Sequence, residues 1–320
     1  MKILAVQNRM GIGDMVIFLP FIEAISKNFG VPVSILVKES SKAIQFLGEN
    51  KAIDEIIILD RGNKKKGLHD GIIGSYNLAK DLRKHGFDKI FIFNSSLRFN
   101  LIAKIAGIKD IHQYPLFNKK NQHIIDAAKN FIKKELDIKT ESNPNIFISN
   151  QLVENSKLNH KINDKVINIL LGVGGSGPTK RIPSKIFINF MRLITQKHKC
   201  RFFLATGKSM EEQKILHEIL DTEYKDKCTP LDDLNLIEIL PIIKNCDISI
   251  CNDSSFSHLS SGLGVKTIVL MADTPLLYGS YSPKMYPIIP DGQETVTHKS
   301  LGKERINPKK IFEKFNKILN

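Results

Sequence analysis

The chain has 320 residues, 42% of them apolar, enough to build two cores of roughly 150 residues each. No apolar run approaches the roughly 20 residues that span a bilayer, and the opening apolar residues alternate with Gly, Asp and Pro, so a soluble, cytoplasmic protein without a signal peptide is expected. A net charge of +14 draws anionic partners, but without a recognition helix or a ribonucleoprotein motif nucleic acid is not among those expected.

The first half alternates short β-branched runs with amphipathic stretches, the pattern of a parallel sheet wrapped by helices. Strands are predicted at Lys2 to Val6, Val33 to Val37, Glu55 to Leu59 and Lys89 to Phe93. Helices are predicted at Met15 to Asn28, Ser40 to Leu47, Gly74 to His85, Leu97 to Ala106 and His123 to Leu136. The run Lys64-Lys65-Lys66 reads as a solvated loop. A polar passage from Ile138 to Asp164 breaks the rhythm and marks a domain boundary. The alternation then resumes, with strands at Val166 to Leu171, Arg201 to Ala205, Asp247 to Cys251 and Thr267 to Leu270. Helices fall at Ser184 to His198, Ser209 to Leu220, Leu234 to Asn245 and Pro308 to Leu319. The fold class is α/β: two Rossmann-like domains, 1–155 and 156–305, whose parallel sheets face an interdomain cleft, followed by a C-terminal helix, 306–320, that packs back on the first domain. The cysteines, Cys200, Cys228, Cys246 and Cys251, form no C-x-x-C pair and have no His at zinc spacing. They point to a reduced compartment, with Cys246 and Cys251 as small buried hydrophobes.

Four loops can carry chemistry. Gly11-Ile12-Gly13-Asp14 follows the first strand and opens a helix, and Val16 stands where a dinucleotide fingerprint needs its third Gly. A carboxylate there repels a pyrophosphate, so Asp14 reads as a positioned acid or base, or as an ordinary N-cap. The loop from Gly172 to Arg181 combines glycines with Ser176, Thr179, Lys180 and Arg181 beside a helix start, a setting suited to a diphosphate. Asn252-Asp253-Ser254-Ser255 leads into a helix that carries His258, and its amides and hydroxyls suit phosphate oxygens. Gly207 to Glu211 follows another strand, where Glu211 can reach a ribose hydroxyl or simply sit in a first helical turn. No Asp-x-Asp occurs, so no metal site is expected.

Together these segments resemble glycosyltransferase family nine, the ADP-heptose:lipopolysaccharide heptosyltransferases, in the same order and over nearly the whole chain. The opening strand with Gly-Ile-Gly-Asp and Pro20 matches the family's first motif, and Phe87 to Gly107, with Ser95 and Arg98, resembles its internal strand–helix unit. Pro178-Thr179-Lys180-Arg181-Ile182-Pro183 resembles the P-x-K-R-x-P loop, Gly207 to Glu211 the G-x-x-x-E, and Asp253-Ser254-Ser255 with His258 and Gly264 the D-[ST]-G-x-x-H segment. Ser255 replaces the usual Gly, Ser260 and Ser261 stand near the usual Ala, and Ala272-Asp273 stands where Gly-Pro is common.

The resemblance implies a GT-B fold and an inverting, metal-independent transfer of a sugar, a heptose, from an ADP-linked donor to a lipopolysaccharide-core glycan, with no cofactor. It gives Asp14 the role of base and Lys180, with Ser176, Thr179 and Arg181, that of stabilising the diphosphate. Ser254 and Ser255 would add amides to that cradle. Gly207 and Glu211 would hold the nucleoside, and Asp253 and His258 the donor sugar. Gly13, Arg61 and Arg98 would meet an anionic acceptor. A monomer with peripheral contact at the inner membrane completes the expectation. The rivals are a non-catalytic nucleotide-sugar-binding protein of the same fold and a Rossmann-type NAD-dependent oxidoreductase.

Overall fold

Strand-forming runs and amphipathic stretches do alternate through both halves, and each half closes its own all-parallel sheet. The computed structural model describes residues 1–9, 11–62, 66–116 and 122–319; Lys64 and Lys65 of the basic run lie outside the described residues. The chain divides into two compact units, Met1–Pro144 and Asn145–Asn320.

The first unit runs β1 (Ile3–Gln7), α1 (Ile12–Phe29), β2 (Val33–Val37), α2 (Ala43–Phe46), β3 (Ile53–Ile58), α3 (Gly71–His85), β4 (Lys89–Ile92), α4 (Leu97–Ala106), β5 (Asp110–Gln113) and α5 (Ile124–Leu136). Its strands lie in the order β3-β2-β1-β4-β5. β1 and β2 read as continuous apolar runs because helices cover both faces, and every residue in them is buried. On one face, Leu78, Ala79 and Leu82 of α3 and Phe99, Ile102 and Ala103 of α4 close a core over Leu4, Val6, Ile90 and Ile92.

The second unit runs α6 (Asn150–Asn159), β6 (Ile167–Gly172), α7 (Ser184–Thr195), β7 (Cys200–Ala205), α8 (Met210–Leu220), β8 (Cys228–Pro230), α9 (Leu236–Lys244), β9 (Ile248–Asn252), α10 (Ser255–Gly262), β10 (Lys266–Leu270), β11 (Met285–Ile288) and α11 (Pro308–Leu319). Its sheet order is β11-β10-β9-β6-β7-β8. Phe187, Phe190, Phe202 and Phe315 anchor its core, each fully buried large side chain contributing about 1.5–3 kcal/mol.

Two expectations about domain limits are corrected. The boundary falls after Pro144 rather than after residue 155, because the following segment is tied to the second unit. The Ile146 amide donates to the Gly262 carbonyl at 2.8 Å and Asn245 Nδ2 to the Val153 carbonyl at 2.9 Å. The C-terminal helix is part of the second unit rather than a separate segment: α11 lies against α7 and β10, burying Ile311, Phe315 and Ile318 in the second core. Lys266 Nζ reaches the Ile318 carbonyl at 2.7 Å and holds its end. Cys246 and Cys251 are buried, as expected for small apolar side chains. Among the described residues no helix is long and apolar enough to cross a membrane.

Candidate functional site

In a parallel sheet the loops that follow two adjacent strands diverge where the strand order reverses, leaving a crevice at their carboxyl ends. In the first unit the order reverses between β1 and β4. The loops after these strands meet there, with Asn94 Nδ2 donating to Asn8 Oδ1 at 3.4 Å. Asp14 stands in the first turn of α1, not at the N-cap position, which Gly11 occupies. Its Oδ2 reaches back to accept the Gly11 amide at 3.3 Å, a contact that a Cβ on Gly11 would crowd. Its Oδ1 accepts the Arg9 guanidinium Nε at 2.9 Å, and the side chain stays partly open to solvent. Asp14 is thus a fixed, ion-paired carboxylate at the start of a helix. Gly13 lies in the same turn. Burial pushes the Tyr114 phenol well above its ordinary pKa, against the pull of Arg9, which places that cation among Asp14, Tyr114 and His123.

The loop between β3 and α3 gathers the other two residues expected to meet an acceptor. Asp70 accepts from the Gly67 amide at 2.8 Å, Arg61 Nε at 3.0 Å and the Gly62 amide at 3.0 Å, which together hold its pKa down to about 2. Arg98 Nε donates to Ser75 Oγ at 2.9 Å and a second guanidinium nitrogen to the His69 carbonyl. Burial lowers the Arg98 pKa, and repulsion from nearby Arg61 adds to it. A pocket of about 670 Å³ opens beside them, lined by Asp60, Gly62, Lys66, Leu68, Asp70 and Asn77.

In the second unit the order reverses between β6 and β9, and three of the four expected motifs converge on that point. Asn252 Nδ2 at the end of β9 donates to the Val173 and Gly174 carbonyls at 2.8 and 3.2 Å, locking the glycine loop after β6. Lys180 Nζ then reaches Asp253 Oδ2 at 2.7 Å. The Asp253 side chain is 5% exposed and that of Lys180 27%. His258, in α10, sets Nε2 3.9 Å from the other Asp253 oxygen and shares a 2.9 Å hydrogen bond between Nδ1 and the Tyr281 hydroxyl. Burial would raise the Asp253 pKa, but Lys180 and His258 outweigh it and hold the carboxyl below its ordinary value. Ser254 caps α10, Ser255 starts it, and the Ser254 hydroxyl is shielded without a partner among the described residues. Helix-start amides beside a lysine make an anion seat.

Glu211 is exposed in the first turn of α8. The carboxylate that engages the loops is its neighbour Glu212, which accepts the Gly175 amide at 2.9 Å and the Ser209 hydroxyl at 2.8 Å. Gly174 and Gly207 flank it so closely that a Cβ on either would collide with its oxygens. Arg181 braces the same loop through the Gly175 carbonyl at 3.3 Å, while Ser176 is exposed. Thr179 donates to Asp273, which also accepts the amides of Lys299, Ser300 and Leu301, the last at 3.2 Å. Lys303 Nζ ties the same strap to the Pro178 carbonyl at 2.9 Å. Lys299 and Leu301 adopt φ of 78° and 48°, conformations unfavourable for side chains with a Cβ, and the strap is held there by Asp273.

Sequence reasoning missed Arg9, Glu212, Tyr281 and the Asp273 strap. Glu212 was within reach, since Ser209 to Glu212 is a helix-capping spacing; Arg9 and Tyr281 carry no local signal.

Residues 75–305 match the model of glycosyltransferase family 9 (heptosyltransferase). The chain is 23% identical over 337 aligned positions to lipopolysaccharide heptosyltransferase 1 of Campylobacter coli, covering 95% of this chain and 93% of that one. It is 24% identical to lipooligosaccharide heptosyltransferase 2 of Campylobacter jejuni, with 76% of each covered. Among solved structures, a family 9 glycosyl transferase from Veillonella parvula superposes with a TM-score of 0.81 at 19% identity, covering 99% of this chain and 97% of the other. The ADP-heptose lipopolysaccharide heptosyltransferase II of E. coli does so with a TM-score of 0.74 at 19% identity over 100% and 98%. The shared architecture is GT-B, two Rossmann-like domains.

Proposed function

Because the chain belongs to glycosyltransferase family 9, we propose that this glycosyltransferase moves a heptose from an ADP-linked donor to an anionic glycan of the lipopolysaccharide core, with inversion and without a metal. The observation that carries the donor assignment is the Lys180–Asp253 pair at the β6/β9 crevice, beside the start of α10 and the shielded Ser254 hydroxyl. Two relatives are named for lipopolysaccharide or lipooligosaccharide heptosyl transfer, and one structural neighbour is named for ADP-heptose; these names support the choice of donor and acceptor.

In the proposed reaction the acceptor hydroxyl oxygen attacks the anomeric carbon as the carbon–oxygen bond to the diphosphate breaks. The bonding electrons pass to the leaving phosphate oxygen, and the hydroxyl proton passes to Asp14. Lys180, Thr179, Arg181 and the amides at Ser254 and Ser255 balance the growing charge. Ser176 and Gly207 complete the donor loops, which are braced by Glu212 rather than by Glu211, the residue expected to hold the nucleoside. Asp253 and His258 face the sugar. Gly13, Arg61 and Arg98 meet the acceptor. No cofactor beyond the donor is required, and the enzyme works as a cytoplasmic monomer in peripheral contact with the inner membrane.

Thermal stabilisation by a panel of nucleotide diphosphates and their sugars, followed by a transfer assay, tests this. A ligand at a hundred times its Kd adds about 2.7 kcal/mol, so ADP and ADP-heptose should raise Tm while NADH leaves it unchanged. A donor that binds without turnover would leave a nucleotide-sugar-binding protein instead. Loss of transfer with chelator would overturn the metal-independent mechanism.

A further inference from the structure

α3 and α4 pack side by side: Arg98 at the start of α4 meets Ser75 on α3, and Arg83 near the end of α3 meets the Ile105 carbonyl. Their inward faces are accounted for, since Leu78, Ala79 and Leu82 of α3 and Phe99, Ile102, Ala103 and Ala106 of α4 are buried in the core over the sheet. Their outward faces carry apolar side chains as well, along α4 and at the start of α3. On α4, Leu97, Leu101 and Ile105 recur every fourth residue and are all exposed. At the start of α3, Ile72 is 91% and Ile73 72% exposed, with Tyr76 and Leu68 open beside them. A helix with one face in a core has no folding reason for a second apolar stripe, and a contiguous exposed apolar surface marks an interaction site.

The rim decides the partner. Lys66, Lys80, Arg83, Lys84 and Lys104 are all exposed along these elements. Of the carboxylates nearby, Asp70 pairs with Arg61, Asp81 with His69 and with Lys84 of this same rim, and Asp60 accepts the Leu68 amide at 3.0 Å. Aliphatic and tyrosine side chains projecting from a cationic ring match an anionic bilayer, whose headgroups attract the cations while the apolar tips enter the acyl boundary. From this, we propose that the outer face of α3 and α4 is a docking surface for an anionic lipid bilayer. It gives the membrane contact a location, and its biological sense rests on the acceptor being a glycolipid.

The test is flotation of the full chain with vesicles of phosphatidylglycerol in phosphatidylcholine, against vesicles of phosphatidylcholine alone, with neither donor nor acceptor present. The protein should float with the anionic vesicles, and high salt should weaken it. Ile72→Ser with Leu101→Ser should reduce the bound fraction about tenfold, and Lys80→Glu with Lys104→Glu similarly. Neither pair belongs to the core, so Tm should hold; Leu158→Ser, an exposed leucine of the second unit, should change nothing. The chain has no tryptophan, so Tyr76→Trp supplies a single reporter whose emission should shift blue on anionic vesicles. Failure to float, a serine pair that floats like the parent, or an unshifted reporter would overturn the proposal. So would a concentration-dependent dimer abolished by the serine pair with no vesicle binding, which would assign the surface to a second copy of this chain. Because the assay contains no sugar, its failure leaves the transferase reading standing, and a failed transfer assay leaves the surface standing.

Discussion

Removing Lys180 should destabilise the second unit, and the reason lies in what it leaves behind. Asp253 is 5% exposed, and among the described residues its carboxylate otherwise meets His258, at 3.9 Å, and the Thr274 hydroxyl. Breaking a buried ion pair from one side costs about 3–5 kcal/mol, because the surviving charge is stranded. Lys180 is 27% exposed, so water entering its place solvates part of the carboxylate, and about 2–3 kcal/mol is the expected loss for Lys180→Ala. At about 2–4 °C per kcal/mol for a domain of this size, Tm should fall by roughly 5–10 °C. Asp253→Asn alone should cost less, about 1–2 kcal/mol, because the freed lysine can swing into solvent. The double variant should then be no worse than Lys180→Ala, giving a coupling energy of about 1–2 kcal/mol in a cycle measured by urea unfolding. Strict additivity would refute the claim that the two charges depend on each other.

Four further outcomes follow from the same geometry. Asp14→Asn should lower kcat about 10²–10⁴-fold while shifting stability by no more than about 1 kcal/mol, since the amide can still accept from Gly11; full turnover would remove Asp14 as base. Asp253 has its pKa held below the ordinary value of about 3.9, so it adds stability above that pH and loses it as pH falls through the lowered value. Acid unfolding of Asp253→Asn should therefore be flatter below about pH 4 than that of the parent. Glu212→Ala should raise KM for the donor more than it lowers kcat, because it frees the Gly175 amide and the loop around it; Glu211→Ala should do little. Asp273→Ala should release the 299–301 strap, read as faster proteolytic nicking there at unchanged secondary structure.

The fold was largely readable because central parallel strands, buried on both faces, carry continuous apolar runs. Val33 to Val37 and Leu97 to Ala106 match the observed elements residue for residue. The strands that were missed, β5, β8 and β11, each pair on one side only, at sheet edges. β5 is made of Asp, Ile, His and Gln and is only partly buried, while β8 and β11 contain Pro230 and Pro287, residues that argue against a strand by propensity. α6 hides in the polar boundary passage because only Ser156 of its ten residues is buried. The site was readable where one motif held both partners in one loop. It was opaque where a contact joins distant segments: Lys180 to Asp253 spans 73 positions, and Asp273 to Leu301 spans 28.

The charges proposed to carry the chemistry in both units rest on internal counterions: Asp14 on Arg9, Arg61 on Asp70, Lys180 on Asp253. Such pairs fix side-chain geometry without a ligand, which lowers the ordering entropy lost on binding. On the proposed donor assignment they would also set an exchange: a phosphate arriving at Lys180 would draw the lysine from Asp253 or share it, and the buried carboxylate would then lean on His258. The sugar that accompanies the phosphate can offer hydroxyl donors to that carboxylate, replacing what the lysine withdraws. Free ADP carries the phosphates without the sugar, so it should gain less at this site than an ADP-sugar does. Asp253→Asn should narrow that difference, and an unchanged ratio of the two affinities on calorimetric titration would show that Asp253 does not face the sugar.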